Sequence, residues 1–263
     1  MPALYAHNRF GGEVVKHLDE ELSAIIQKHY TQFCIGLQGP DIFFFYRPWE
    51  KNKVSQCGYG MHDEYADVFF EKAAEIVRKK GRDSREYAYI LGFICHFSLD
   101  SECHPYVEKM VKEIQVGHIE IEGEFEKHLL RLDGRHPLSY PLAKFVPTDD
   151  STVEAIYQFF KQVKREEIQE ALKTMKFIKK FLTAPCKMKQ NLINICLKIT
   201  GLDKSYYGMM HSYHDNPKCT DTNKNLENRF GQAVLVATML IQSYDETVQK
   251  NKPINERFHR TFD

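Results

Sequence analysis

Apolar residues recur at three- and four-residue intervals along most of the chain, and no segment alternates apolar with polar residues as a half-buried strand would. Val14, Val15, Leu18, Leu22, Ile25 and Ile26 predict an amphipathic helix over about 12–30. Ala66, Phe69, Phe70, Ala73, Ile76 and Val77 predict a second over about 62–80, with Gly81 as its stop. Between them, Gly39 to Trp49 is bounded by Pro40 and Pro48 and reads as a packed loop, and the chain through Gly58 and Gly60 reads as irregular. Asp83-Ser-Arg-Glu86 has the form of a capping box, which opens a helix ending near Asp100. His104-Pro105 then reads as the start of a short helix to about Gln115. Further helices are predicted over about 118–132, 151–183 (with room for a break), 187–200 and 224–250, the second of these opened by another capping box at Ser151-Thr-Val-Glu154. Loops fill about 134–149 and 206–223. The prediction is an all-α multi-helix bundle, read as a single domain over 1–263 with a core in 1–133 and additional helices over 150–263.

One of these helices is unusual. From Tyr87 to Leu99 the chain has no Asp, Glu, Lys or Arg, so the helix is apolar nearly all round and runs through a core. His96 and Asp100 lie one turn apart on it, on the same face. A buried carboxylate costs several kcal/mol unless it is paired or binds a metal, and a metal explains both residues at once.

Composition sharpens that picture only in part. The 36 basic and 36 acidic residues balance, which gives no global charge to argue for nucleic acid or an anionic membrane. Residues 1–150 nevertheless carry 18 basic and 24 acidic side chains, a net of −6, which leaves +6 for residues 151–263. An acidic front half suits cation ligation. Seven scattered cysteines without a CxxC pair fit reduced, spectator thiols, Cys57, Cys95 and Cys103 among them. The first residues lack the pattern of a secretory signal, and no uninterrupted apolar run reaches about 18 residues, so a soluble, cytoplasmic protein is expected.

The candidate chemistry lies in His-x-x-x-Asp/Glu pairs, which on a helix present an imidazole and a carboxylate to one ion. With 12 histidines, chance supplies roughly 1.6 such pairs, whereas the chain has six, starting at His17, His96, His104, His118, His211 and His259. His17 with Glu21 lies away from its helix's apolar stripe, and His259 with Asp263 in a tail expected to fray. His211, His214 and Asp215 read as a solvated loop.

Asp41 after Gly-Pro, His62, His96-x-x-x-Asp100-x-x-x-His104 and His118-x-x-x-Glu122 resemble, in order and approximate spacing, the ligand series of zinc-dependent phospholipase C. The related single-strand-specific zinc nucleases have a similar series. The resemblance covers about the first 130 residues. It implies the all-α bundle of that family and a two- or three-zinc site. One Zn2+ would be held by Asp41, His62, His96 and Asp100, and a second by His104, His118 and Glu122. A third would use the amine of the N-terminal residue, for which Pro2 after removal of Met1 is the candidate, with His7 and a bridging Asp100. The chain departs from the family in having Pro2 where the family has a processed tryptophan.

The resemblance implies a phosphodiesterase in which metal-activated water attacks a phosphodiester, either a lipid head group or a soluble diester. Asp41 is a candidate catalytic base, although its place in the series favours ligation. Tyr59 is the candidate substrate-binding aromatic among Phe43, Phe44, Phe45, Tyr46, Trp49 and itself, most of which read as core. Arg47 reads as a surface salt bridge. A nuclease on the same framework would want a basic groove, which a net acidic front half disfavours. A third reading is a metal-stabilised binding protein without catalysis.

Overall fold

The structure is a computed structural model that describes residues 3–201 and 208–262, and among these residues every regular element is helical. In chain order the α-helices are α1 (Leu4–Val15), α2 (Glu20–Lys28), α3 (Tyr30–Gly36), α4 (Lys53–Asp63), α5 (Ala66–Lys80), α6 (Arg85–Ile114), α7 (His118–Leu132), α8 (Asp150–Phe159), α9 (Arg165–Leu182), α10 (Lys187–Thr200) and α11 (Thr220–Lys250). Short 3-10 segments at Gly39–Phe45, Leu142–Phe145, Pro217–Cys219 and Glu256–Phe258 connect them.

α6 is the axis. Ser84 caps it by accepting from the Tyr87 amide, and its residues are buried without interruption from Glu86 to Ser101. α1, α3, α5, α8 and α11 pack around it, and Phe70, Phe93, Phe97, Tyr244 and Phe258 meet in its core with mostly edge-on or tilted rings. Each such phenylalanine contributes about 2 kcal/mol by burial. α3 approaches α6 backbone to backbone at Gly36 and Gly92: a Cβ on Gly92 would lie 2.2 Å from the Phe33 carbonyl oxygen, and one on Gly36 2.1 Å from that of Tyr89.

Several expectations change. The helix expected over 12–30 is two: α1 starts at Leu4, and Asp19 caps a separate α2 by accepting from Leu22. The packed loop at 39–49 contains a seven-residue 3-10 segment with Pro40 in its first turn. The region through Gly58 and Gly60 is helical, in α4, because Asn52 caps it and because the missing side chain at Gly58 admits Phe44 and the Pro40 carbonyl. The helix expected to end near Asp100 and the short one after His104 are a single 30-residue α6 with Pro105 inside it. Proline there removes one intrahelical hydrogen bond, which packing on both sides outweighs. The cap of α8 is Asp149 rather than Ser151, and the final helix begins at Thr220, four residues earlier than expected. Residues 206 and 207 of the expected 206–223 loop lie outside the described residues. α7 and α10 match their expected spans, Gly81 ends α5 with φ of 90°, and the 151–183 region breaks between α8 and α9.

The tail is not frayed. Phe258 and Phe262 are buried, and the Phe262 ring packs 5.9 Å from that of His96 and 5.4 Å from that of His62, while His259 Nδ1 lies 2.6 Å from an Asp67 oxygen. Asp263 lies outside the described residues. His211 is likewise buried rather than in a solvated loop: its ring nitrogens hydrogen-bond to the Pro137 carbonyl at 3.0 Å and to Glu126 at 2.8 Å. Glu126 also accepts from the Tyr5 amide, so this cluster fixes the first turn of α1 against α7. Burial pushes the Glu126 pKa up, but His211 and Lys179 outweigh it and hold the group below the usual range. All seven cysteines are free thiols, and none belongs to a metal-competent cluster of the described residues.

Candidate metal centre

A single face of α6 presents His96, Asp100 and His104 at successive turns, so three polar side chains project from an otherwise apolar helix in one row. The sequence reading placed His104 beyond the helix end. Its position on α6 puts its Nε2 3.5 Å from Asp100 Oδ1. Four other segments bring partners to this row. Asp41 comes from the 3-10 segment, His62 from the last turn of α4, His7 from α1, and His118 with Glu122 from the first turns of α7.

The side chains gather into three trios: Asp41, His62 and His96; His7, His96 and Asp100; and His104, His118 and Glu122. Within each trio the ligand atoms lie within 4.8 Å of one another. His62 Nε2 is 3.2 Å from Asp41 Oδ1, and His96 Nε2 is 3.1 Å from Asp100 Oδ2. Asp100 Oδ1 is 3.3 Å from His7 Nε2, and the His7 and His96 rings stack at 4.6 Å. Glu122 Oε1 is 2.9 Å from His118 Nε2 and 3.5 Å from His104 Nε2. His96 thus belongs to two trios, and Asp100 touches the third through His104. Every residue of the series is buried except His118, which is half-buried. Pro2, the candidate for an amine ligand, lies outside the described residues.

Protonation tests whether these groups suit a metal. His96 Nδ1 faces the Leu37 carbonyl oxygen at 3.2 Å and His62 Nδ1 faces that of Gly58 at 2.9 Å. A carbonyl oxygen only accepts, so each Nδ1 carries a proton, and in a neutral ring Nε2 turns a lone pair toward a carboxylate. His118 Nδ1 is held the same way by Glu108, at 2.6 Å. Two lone pairs facing each other need a cation between them. Burial pushes the His96 pKa far down despite the nearby Asp100, so a second ring proton is disfavoured there. His96 Nε2, Asp100 Oδ2 and Glu122 Oε2 are buried and make no hydrogen bond among the described residues. Imidazole and carboxylate donors in trios, with His62, His96 and His118 each oriented from behind by an oxygen, suit zinc.

Asp100 and Glu122 are kept ionised. Burial raises the Asp100 pKa, but His104, His96 and His7 more than reverse this and bring it well below the usual range. Glu122 is likewise raised by burial and pulled down to about 2 by His118 and His104. His118 is lowered by burial yet raised overall, because Glu122 and Glu108 face it.

Two contributors escaped the sequence reading. Glu108 follows His104 by four residues, so the spacing was visible, but the turn of α6 aims it at His118 instead. Replacing Glu108 with glutamine is expected to lower metal affinity at the third trio by about 10- to 100-fold, read by competition with a chromogenic zinc chelator. Unchanged affinity would remove Glu108 from the centre. Gly39, the other, holds φ of 50°, and a Cβ there would lie 2.1 Å from His96 Cδ2, so both its backbone and its lack of a side chain let the 3-10 segment close over the ring.

Of the aromatic residues around Asp41, Phe43, Phe45 and Tyr46 are buried, whereas Trp49 and Tyr59 are exposed. Tyr59 lies on α4, with its ring 4.5 Å from that of Phe44, which in turn lies 5.5 Å from His62. Arg47 forms surface ion pairs with Glu50 and Glu170. No helix of the described residues is long and apolar enough to cross a membrane. The family model described as zinc dependent phospholipase C matches residues 6–234, which extends well past the first 130 residues. No curated protein and no solved structure matches the chain.

Proposed function

Because the chain belongs to the zinc-dependent phospholipase C family, we propose that it is a phosphoric diester hydrolase working through two or three zinc ions held along α6. The observation that carries this reading is the set of imidazoles, His62, His96 and His118, each held through Nδ1 by an oxygen acceptor while its Nε2 faces a carboxylate in one of the trios. Asp41, His62 and His96 would hold one ion, His104, His118 and Glu122 a second, and His7 with Asp100 a third. Asp100 would bridge, since its two oxygens face different imidazoles. When bound, zinc supplies Lewis-acid charge that acidifies water towards neutrality and offsets charge on the phosphoryl oxygens.

The protein's own groups do the rest. Asp41, Asp100 and Glu122 contribute at most three negative charges to two or three dications, leaving a cationic site that attracts a phosphate diester. Asp41 is buried against His62, which favours ligation over service as a general base. His118 is the most exposed member of the series, so the diester would enter on its side. Tyr59, linked to His62 through Phe44, would offer its face to a quaternary ammonium or a base.

Metal analysis together with a chromogenic phosphodiester assay tests the reading. Two or three zinc ions per chain are expected, with turnover that a chelator abolishes and added zinc restores. Full loading without hydrolysis of lipid, nucleic acid or small diesters would instead identify a metal-stabilised binding protein. Phosphatidylcholine compared with single-stranded DNA separates the lipase from the nuclease.

A further inference from the structure

The +6 of the chain's second half is not spread evenly. Residues 171–200 contain seven lysines and no aspartate or glutamate. Lys179 is buried; the other six, Lys173, Lys176, Lys180, Lys187, Lys189 and Lys198, reach the surface of α9 and α10. Within this basic stretch α10 has two apolar faces. Its inner face, with Ile193 and Leu197, packs against Leu182, Ala184 and Met210. Met188, Leu192, Ile195 and Ile199, spaced four, three and four apart, form a stripe on the opposite side that is 55–80% exposed. Scattered exposed apolar residues are ordinary, but a four-residue row on one helix face is not.

At 100° per residue, Lys189 falls on one side of this stripe and Lys187 and Lys198 on the other. Lys187 holds its ammonium 4.5 Å from the Tyr213 ring and Lys189 donates to the Thr183 carbonyl, so both charges sit at the flanks of the row, and the exposed Lys198 adds a third. The last turns of α9 add Phe177 and Phe181, both exposed, with stacked rings 6.1 Å apart. Of the acidic side chains near α10, Glu120 and Glu124 of α7 line a cavity of about 340 Å³ together with Asn194, Leu197 and Lys198, and Asp215 lines the adjoining cavity with Lys187.

We infer that α10, with the end of α9, is a docking surface for an anionic lipid bilayer. An apolar row buried at the level of the acyl boundary, flanked by cations at the level of the phosphates, is the arrangement that holds a helix in the plane of a membrane. No helix of the described residues can cross a membrane, so the contact is peripheral. The basic flanks decide between occupants: a second copy would bring the same lysines into opposition, whereas anionic head groups pair with them. The inference is independent of the metal centre, because binding is measured without turnover.

The experiment is flotation of the zinc-loaded, full-length protein with vesicles of phosphatidylcholine alone or with added phosphatidylglycerol. Association with the anionic vesicles is expected to be stronger by about tenfold or more and to weaken as salt is raised. The double variant Leu192→Glu with Ile199→Glu removes apolar contact and adds repulsion, so it is expected to stay in the aqueous fraction. Lys187→Glu with Lys198→Glu is expected to lose the preference for anionic lipid while keeping its helical signal. Turnover of a water-soluble diester serves as the folding and metal control and is expected to match the wild type in both. Wild-type protein that does not float, or variants that float as well as the wild type, would overturn the inference. So would a wild-type dimer that Leu192→Glu with Ile199→Glu dissociates while neither form binds vesicles, because the stripe would then belong to a second copy.

Discussion

Alanine at position 96 is expected to abolish phosphodiester turnover while leaving the helical signal of the protein nearly intact. His96 is fully buried and is the one residue shared by two trios, so its loss opens both. Asp41 and His62 would keep each other, but Asp100 would keep only His7 and His104, at 3.3 and 3.5 Å. Losing the Lewis-acid contribution of an ion is worth several kcal/mol, so turnover should fall roughly a thousandfold or more. Zinc content should drop by at least one ion per chain, measured on the same sample. The helix itself should persist, because the apolar residues around position 96 hold it in the core. His128→Ala is the control: that ring pairs with Glu227 outside all three trios, and turnover should not change. Turnover retained in His96→Ala would sink the assignment of the centre.

The second large effect is on stability. Gly92→Ala is expected to lower the melting temperature by about 6–12 °C, which corresponds to roughly 3 kcal/mol for a chain of this size. The new Cβ would meet the backbone of α3 at Phe33 and Gly36, and of Leu37 just after it, rather than the end of a movable side chain, so the two helices must separate. That movement reaches the centre, because Leu37 follows α3 directly and its carbonyl orients His96. Zinc affinity should therefore fall together with the melting temperature. A thermal scan of the zinc-loaded and metal-free forms measures both; an unchanged melting temperature would show that the α3–α6 contact yields easily.

Much of this architecture was written in local patterns. The three-and-four periodicity predicts an all-α chain, and α7 and α10 keep their expected ends because a loop precedes each and glycine or aspartate follows. The ligand series was legible because charged and imidazole side chains stand out on an apolar background at His96 and Asp100. What stayed hidden depends on contacts between distant segments. Gly58 and Gly60 read as irregular because glycine weakens an isolated helix, but Phe44 and Pro40 occupy the space that Gly58 leaves. Pro105 read as a helix start for the same reason: local cost was visible, and the support from neighbouring helices was not. His211 read as solvated because nothing near it in sequence hydrogen-bonds to it, while Glu126 lies 85 residues away. Phe262 was missed on the same grounds, its ring packing against those of His62 and His96.

The continuity of α6 through Pro105 has one more consequence. With a rise of about 1.5 Å per residue, His96, Asp100 and His104 sit at roughly 6 Å intervals along one axis. The spacing of these three side chains is therefore set by helix pitch, like marks on a ruler, and not by α1, α4, α7 and the 3-10 segment that bring their partners. A change of length in a connecting segment such as 134–149 leaves that spacing unaltered. An insertion of a single residue between His96 and His104 has the opposite character: it would swing one mark about 100° away from the others and dismantle the gauge.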